Sequence, residues 1–156
     1  MITTRKMTSE TVQDAFRLLS EFLRYDAHYL ESSRAYGDKG DLALMAALNL
    51  FLTRPELGFI WLAYDGPTAV AVCVISFAIS TSIGGLVVKL DDVFVASERQ
   101  HQSVGSVHLE QLKRELRSLN VGRIDTSVHK ANEPARSFYS KHGFVSLHEE
   151  RMACLL

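Results

Sequence analysis

Two adjacent carboxylates, Asp91 and Asp92, sit in the β-prone stretch LVVKLDDVFVA. A polar turn follows, Gln100-His101-Gln102-Ser103-Val104-Gly105-Ser106, and an apolar-periodic segment begins inside it. Strand, turn and helix in that order make the layout of a phosphate-binding loop. Free backbone N–H groups and the positive end of the helix dipole converge there. Glycine helps because the backbone must approach the ligand closely. Only Gly105 supplies that freedom, and Ser103 stands where a second glycine is expected. Serine is small, caps helices and can donate its hydroxyl to a phosphate oxygen. An ordinary helix N-terminus is the competing reading.

The carboxylates carry a geometric constraint. Successive strand residues point to opposite faces, so a regular strand offers only one of Asp91 and Asp92 to a cleft. A bulge offers both. A solvated charge on one face is the plainer alternative. Further on, NEPARSFYSKHGF gives a short helix: Asn132 caps it, Pro134 fits its first turn and Gly143 ends it. Ala135, Phe138 and Tyr139 fall on neighbouring positions of that helix, which also suits two core aromatics. The six histidines (28, 101, 108, 129, 142 and 148) show no metal-ligand spacing, so no metal is expected. His101 lies in the turn, within reach of a bound phosphate. His108 falls on the apolar side of its helix as a partly buried residue.

These residues need elements to hold them. ITTRK, at 2–6, is β-prone, and Val12, Phe16, Leu19 and Leu23 space an amphipathic helix to about Arg24. RYDAHYLESSRAYGDKG reads as a polar and aromatic connector. A second helix runs from about Asp41 to Arg54 and stops at Pro55. GFIWLAYDG, TAVAVCVISFAIS and LVVKLDDVFVA then form three strands joined by turns at Asp65-Gly66 and Gly84-Gly85, an antiparallel meander. Val104 to Leu119 make a helix closed by Asn120 and Gly122. RIDTSVHK is a strand, the helix over 132–143 follows, and FVSLHEERMACLL is a final strand. Meander followed by β-α-β-α-β predicts an α/β (α+β) fold. Its mixed central sheet carries an antiparallel N-terminal meander flanked by helices, in one domain over residues 1–156.

Bulk properties agree. With 156 residues the chain needs no disulfide or metal staple. A net charge of −1 and no basic block argue against a nucleic-acid or membrane-surface partner. Cys73 and Cys154 lie in apolar runs without a CxxC pattern, which predicts buried free thiols and a reducing compartment. No signal peptide or membrane span is visible, so the expected location is cytoplasmic.

Taken together, the loop and NEPARSFYSKHGF resemble the GNAT superfamily of acetyl-CoA-dependent N-acetyltransferases, most sharply from Leu90 to Phe144. The family loop reads Arg/Gln-x-x-Gly-x-Gly/Ala. Gln100 fills its first place, Ser103 replaces the first glycine and Gly105 keeps the last. The later signature, Asn-x-x-Ala-x-x-Phe-Tyr-x-x-x-Gly-Phe, is matched by Asn132, Ala135, Phe138, Tyr139, Gly143 and Phe144. LDDVFV, NEPARSFY and LRYD resemble in particular the diamine (spermidine/spermine) and thialysine N-acetyltransferases.

That resemblance implies acetyl-CoA as co-substrate and direct acyl transfer to an amine. An alkyl amine is protonated at neutral pH, and freeing its lone pair costs roughly 4–5 kcal/mol. A carboxylate that accepts the proton offsets part of this. By resemblance Asp91 occupies the place of the proton-relay acid and Asp92 an amine-binding place, while Tyr139 protonates the CoA thiolate. Val93, Phe94 and Val95 pair with the pantetheine arm. Gln100, His101, Gln102, Ser103, Val104, Gly105 and Ser106 cradle the pyrophosphate, with Asn132, Ala135, Arg136 and Phe138 completing the cofactor side. Tyr25, Asp26 and Glu31 are candidates for cation recognition. The acceptor implied is a small primary amine. A protein or peptide amine, or a catalytically silent CoA-binding module, are the alternatives, and a homodimer is expected by family analogy.

Overall fold

The structure, a computed structural model, describes all 156 residues. Its elements run β1 (Ile2–Lys6), α1 (Val12–Tyr25), α2 (Ala27–Tyr36), α3 (Asp41–Thr53), β2 (Gly58–Asp65), β3 (Thr68–Ser80), β4 (Gly85–Val95), α4 (Val104–Ser118), β5 (Ile124–Thr126) and α5 (Glu133–Lys141). The sheet order is β1-β2-β3-β4-β5. The first three pairings are antiparallel and β4–β5 is parallel. Gly66 and Gly84, both at positive φ, close the two meander turns.

Both faces of the sheet are covered, which explains the near-continuous apolar runs in β2 and β3. Alternate residues of β2 go to opposite sides. Ile60 and Leu62 meet Leu18 and Leu19 of α1 and Leu48 of α3, all at most 1% exposed. Phe59 and Trp61 face the other way, toward Leu109, Leu112 and Leu116 of α4 and Tyr139 of α5. Each fully buried leucine contributes roughly 1.5–3 kcal/mol. His108, expected partly buried, is 2% exposed. Its Nε2–H donates to the Trp61 carbonyl at 3.1 Å, and burial pulls its pKa down to about 4, so it is a neutral core histidine.

Four expectations are corrected. The connector after α1 contains a helix, α2, capped by Asp26 and ended by Gly37 in the left-handed region. It buries no residue, so no apolar periodicity betrayed it. Residues 144–156 form no final strand. The only backbone hydrogen bond this segment makes is from Phe144 N to the Tyr139 carbonyl, and Val145 and Leu147 are 82% and 60% exposed. β5 spans three residues where eight were expected, so it offers a short ladder, and Gly143 leaves α5 at positive φ. The segment instead runs along a groove beside β5 and α5. For the same reason Cys154 is exposed, whereas Cys73 is buried as expected.

Candidate active site

The parallel ladder of β4 and β5 pairs Val88 with Ile124, Lys89 with Asp125 and Leu90 with Thr126, and ends there. Thr126 Oγ1 donates to the Leu90 carbonyl at 2.8 Å, which fixes the last rung. From Asp91 to Val95, β4 has β3 on one side and no strand on the other. The edge of Val93, Phe94 and Val95 is therefore open to an extended ligand. Val93 packs toward the α4/α5 face and Phe94 toward Phe22 of α1, ring centroids 6.2 Å apart.

Asp91 and Asp92 sit where this opening begins. Asp91 pairs with Val74, and the next registered pair is Phe94 with Val72, so two β4 residues oppose the single Cys73. This is a β-bulge, and Asp92 takes the left-handed conformation at φ 51. The bulge breaks the strand alternation at the two acids. Asp91 Oδ2 is paired with Lys89 Nζ at 2.8 Å. Asp92 is pushed up to about 6, first by burial and then by the Asp91 charge, against the pull of Lys89 and Arg151.

Tyr139 comes from α5. The Asn132 carboxamide accepts from Ala135 N at 3.3 Å and Pro134 occupies the first turn. Phe138 and Phe144 flank the Tyr139 ring edge-on at 5.4 and 5.1 Å. Burial pushes the phenol up to about 12, with the Thr126 hydroxyl opposing and Cys73 and Asp91 adding to the rise. The phenol therefore keeps its proton at neutral pH. Arg136 reaches the Lys130 carbonyl at 3.2 Å and Glu133 at 2.9 Å, so it braces the N-terminus of α5.

The turn before α4 has its own geometry. His101 and Ser103 both stand at positive φ, 62 and 64. Val107 N, bonded to the Ser103 carbonyl at 3.1 Å, opens the helix. No backbone N–H from His101 to Ser106 donates to another protein group. A run of free N–H groups at a helix N-terminus is an anion cradle. Gly105 is not at positive φ. A Cβ built there would lie 3.5 Å from the Phe138 ring and 3.6 Å from Val95, so its role is clearance. Val104 is buried and anchors the turn. The Gln100 side chain donates to the Val95 carbonyl at 3.0 Å, and Gln102 to the Glu98 carbonyl at 3.1 Å. Both fold the turn onto itself. Ser106 Oγ lies 3.0 Å from His142 Nε2, a partner that no motif pointed to.

On the other side of Asp92 stands α2. Tyr29, unremarked in the sequence, donates to Asp38 at 2.7 Å, lies 5.7 Å from Phe22 and stacks on Tyr36 at 5.5 Å. Burial raises its phenol strongly, with Asp38 and then Asp92 adding. Tyr25 is 75% exposed. One carboxylate oxygen of Asp26 is engaged as the α2 cap, accepting from Tyr29 N at 2.8 Å. Glu31 meets His129 Nε2 at 2.9 Å, beside the ring of His28. The donor atoms of these three residues lie within 4.8 Å of one another. His129 Nδ1 accepts from Ala131 N at 3.1 Å, which puts its proton on Nε2 facing Glu31. Both imidazole nitrogens are thereby satisfied by hydrogen bonds.

Comparison with known proteins bears on this geometry. The model of the Acetyltransferase (GNAT) family matches residues 16–144. No curated protein matches the sequence. Among solved structures, an integron cassette protein from the mobile metagenome of Cole Harbour Salt Marsh superposes with a TM-score of 0.78 at 24% identity, over 98% of this chain and 90% of that one. AAC(6')-Iy, in complex with the bisubstrate analog CoA-S-monomethyl-acetylneamine, gives 0.75 at 13% identity over 100% and 99%. A ribosomal-protein-alanine N-acetyltransferase from Brucella melitensis biovar Abortus 2308 gives 0.75 at 9% identity over 99% of each chain. At these identities the structures show a shared fold. The family match over most of the chain shows more: this protein belongs to the GNAT acetyltransferase family and is an acyltransferase, of a kind that uses acetyl-CoA.

Proposed function

We propose that the protein transfers the acetyl group of acetyl-CoA directly to a primary amine of a small molecule. Asp92 is the proton acceptor and Tyr139 the proton donor. One observation carries this reading: two ionisable groups by the β4–β5 opening have been driven to opposite tasks. Asp92, at about 6, is a base matched to neutral pH. Tyr139, at about 12, keeps its proton until a thiolate needs it. A free thiol ionises near ~8.5, below the phenol, so Tyr139 gives up its proton only as the C–S bond breaks and is recharged by the proton the nitrogen sheds.

The cycle follows from these positions. Acetyl-CoA lies with its pantetheine arm along Val93–Val95 and its pyrophosphate over the free N–H groups of residues 101–106. A backbone N–H of the open β4 edge polarises the thioester carbonyl. The acceptor ammonium enters from the α2 side and loses its proton to Asp92. The amine nitrogen attacks the thioester carbon, the C–S bond breaks, and Tyr139 protonates the sulfur. The second proton, shed by the nitrogen as the amide forms, returns to the Tyr139 oxygen while Asp92 releases its own to solvent. Burial holds Asp92 at its raised pKa, and the charge of Asp91, paired with Lys89, adds to it. Tyr29, Tyr36, Asp38 and Asp92 set aromatic and acidic groups together, a wall suited to a compact ammonium ion.

Acetyl-CoA turnover against a panel of amines tests the reading. The panel holds diamines and polyamines, a thialysine-type amino acid, and peptides with free N-termini or lysines. Turnover of one or more small amines is expected. Turnover of peptides alone would replace the small-molecule acceptor with a protein one.

A further inference from the structure

Ser106, His142 and Glu110 form a relay at the edge of the anion cradle. Ser106 Oγ lies 3.0 Å from His142 Nε2, and His142 Nδ1 lies 3.0 Å from Glu110 Oε1. The His142 side chain is 9% exposed. Glu110 is held below the usual carboxylate range, first by Lys113 and then by His142, so it is an ionised acceptor. That fixes the protons. Nδ1–H of His142 donates to Glu110. In the neutral imidazole Nε2 is then a bare lone pair, and the single proton of the Ser106 hydroxyl must point at it. In this state Ser106 turns only lone pairs toward an anion.

Protonation of His142 reverses the hydroxyl. The imidazolium donates from both nitrogens, Nδ1–H to Glu110 and Nε2–H to Ser106 Oγ. The Ser106 proton is then free to donate to a phosphate oxygen, and a positive charge stands behind it. We propose that His142 is a positioning residue for the cofactor pyrophosphate, taking up a proton from solvent as the cofactor binds and presenting the Ser106 hydroxyl as a donor. The proposal rests on the reading that residues 101–106 cradle the pyrophosphate. It also gives the loop a cationic partner, which the neutral Gln100, turned onto the Val95 carbonyl, does not supply.

The surroundings of His142 allow this. From α4 it is met by Glu110 and by Lys113, whose Nζ donates to the His142 carbonyl at 2.7 Å. From α5 the Phe138 ring packs on it at 4.7 Å. The segment after α5 brings His148, Glu149, Glu150 and Arg151 to the groove that His142 also lines. The Glu110 and Lys113 charges offset one another, so a bound dianion is the added field that favours the imidazolium.

Calorimetric titration with dephospho-CoA tests it. That ligand keeps the pyrophosphate and lacks the 3′-phosphate, so its thiol, near ~8.5 at the top of the range, is the one group it brings that titrates there. Titrations run from pH 5.5 to 8.5 in two buffers of different ionisation enthalpy. The expected result is uptake of up to about one proton per site around neutral pH. Affinity should fall as pH rises across this range, because a neutral imidazole turns the Ser106 proton away from the phosphate. His142→Gln and Ser106→Ala should each abolish the uptake and flatten the pH profile. His28→Gln, a histidine on α2 outside the cradle, should leave both intact. Tight wild-type binding without proton uptake, or uptake that survives in His142→Gln, would overturn the role of His142 while leaving the cradle standing. Wild-type protein that binds no dephospho-CoA at any pH would overturn the cradle and this proposal with it.

Discussion

Lys89 Nζ lies 2.8 Å from Asp91 Oδ2, two positions along β4 and on one face of the strand. The pair engages Asp91, and the neighbouring Asp92 is lifted to about 6, first by burial and then by the Asp91 charge. The two acids should therefore respond differently to neutralisation. In Asp92→Asn, kcat/KM at pH 7 should drop by ~10²–10⁴. The defect should shrink as pH rises toward the amine pKa near ~10.4, because the substrate then arrives deprotonated. Asp91→Asn should keep the bend in the pH profile and move it below 6, since a charge that raised Asp92 is gone. A pH-rate profile of both variants decides the matter. Equal defects at every pH would assign the acids to positioning.

Asp92 also links function to stability. Its carboxyl rises from 3.8 to about 6 on folding, so the folded state disfavours its ionised form. A raised acid contributes stability below its unfolded pKa and loses it as pH climbs through the folded one. At pH 8 the full cost is present: about two pK units at ~1.36 kcal/mol each, up to about 3 kcal/mol. Asp92→Asn should raise Tm at pH 8 by about 5–10 °C for a chain of this size. Below pH 3.8 it should give no gain. Thermal melts at the two pH values read this directly, and a gain independent of pH would trace to packing instead of charge.

Tyr139→Phe removes one oxygen from a ring wedged between Phe138 and Phe144. Packing survives and the acid is lost. The expected outcome is a kcat lower by ~10²–10⁴ with acetyl-CoA affinity nearly unchanged. Because the phenol is held at about 12, the deficit should be the same at pH 7 and pH 9, unlike that of Asp92→Asn. Steady-state kinetics at both pH values separate the two roles. Near-normal kcat at saturating substrate would falsify the assignment.

The sequence disclosed most of the frame and less of the site. α1, α3, β2, β3, β4, α4 and α5 were legible because each buries an apolar stripe or run that periodicity reports. α2 escaped for the converse reason: it buries no residue and is held by the Asp26 cap and the Tyr29–Tyr36 stack. Val145 and Leu147 alternate as a strand would, yet alternation does not supply a partner, and β5 is only three residues long. In the site, residue types were readable and conformations were not. Nothing in DDVFV announces the bulge that turns Asp92 to φ 51, since a bulge depends on how β3 and β4 register. Tyr29 and His142 were unreadable as site residues, because each depends on a contact made between elements.

The last prediction concerns the turn itself. Ser103 stands at φ 64, a conformation that costs an L-residue roughly 1–2 kcal/mol and glycine almost nothing. Glycine also loosens the unfolded chain, at roughly 0.4–1 kcal/mol. Ser103→Gly should therefore be neutral to about 1 kcal/mol stabilising. It should bind acetyl-CoA as tightly as wild type or more tightly, since the N–H cradle is backbone and its shape is retained. Gly105 behaves differently because its backbone is helical and any residue can adopt it. Its single added Cβ would meet Phe138 and Val95 at ordinary contact distance, 3.5 and 3.6 Å. Gly105→Ala should fold and bind. Gly105→Val places two further carbons where Phe138 and Val95 leave no room. α4 would have to shift away from α5, spoiling the cradle and the alignment of Tyr139 together. Chemical denaturation and titration with acetyl-CoA and dephospho-CoA across the three variants measure both effects. Binding retained in Gly105→Val at wild-type strength would remove residues 100–106 from the cofactor site.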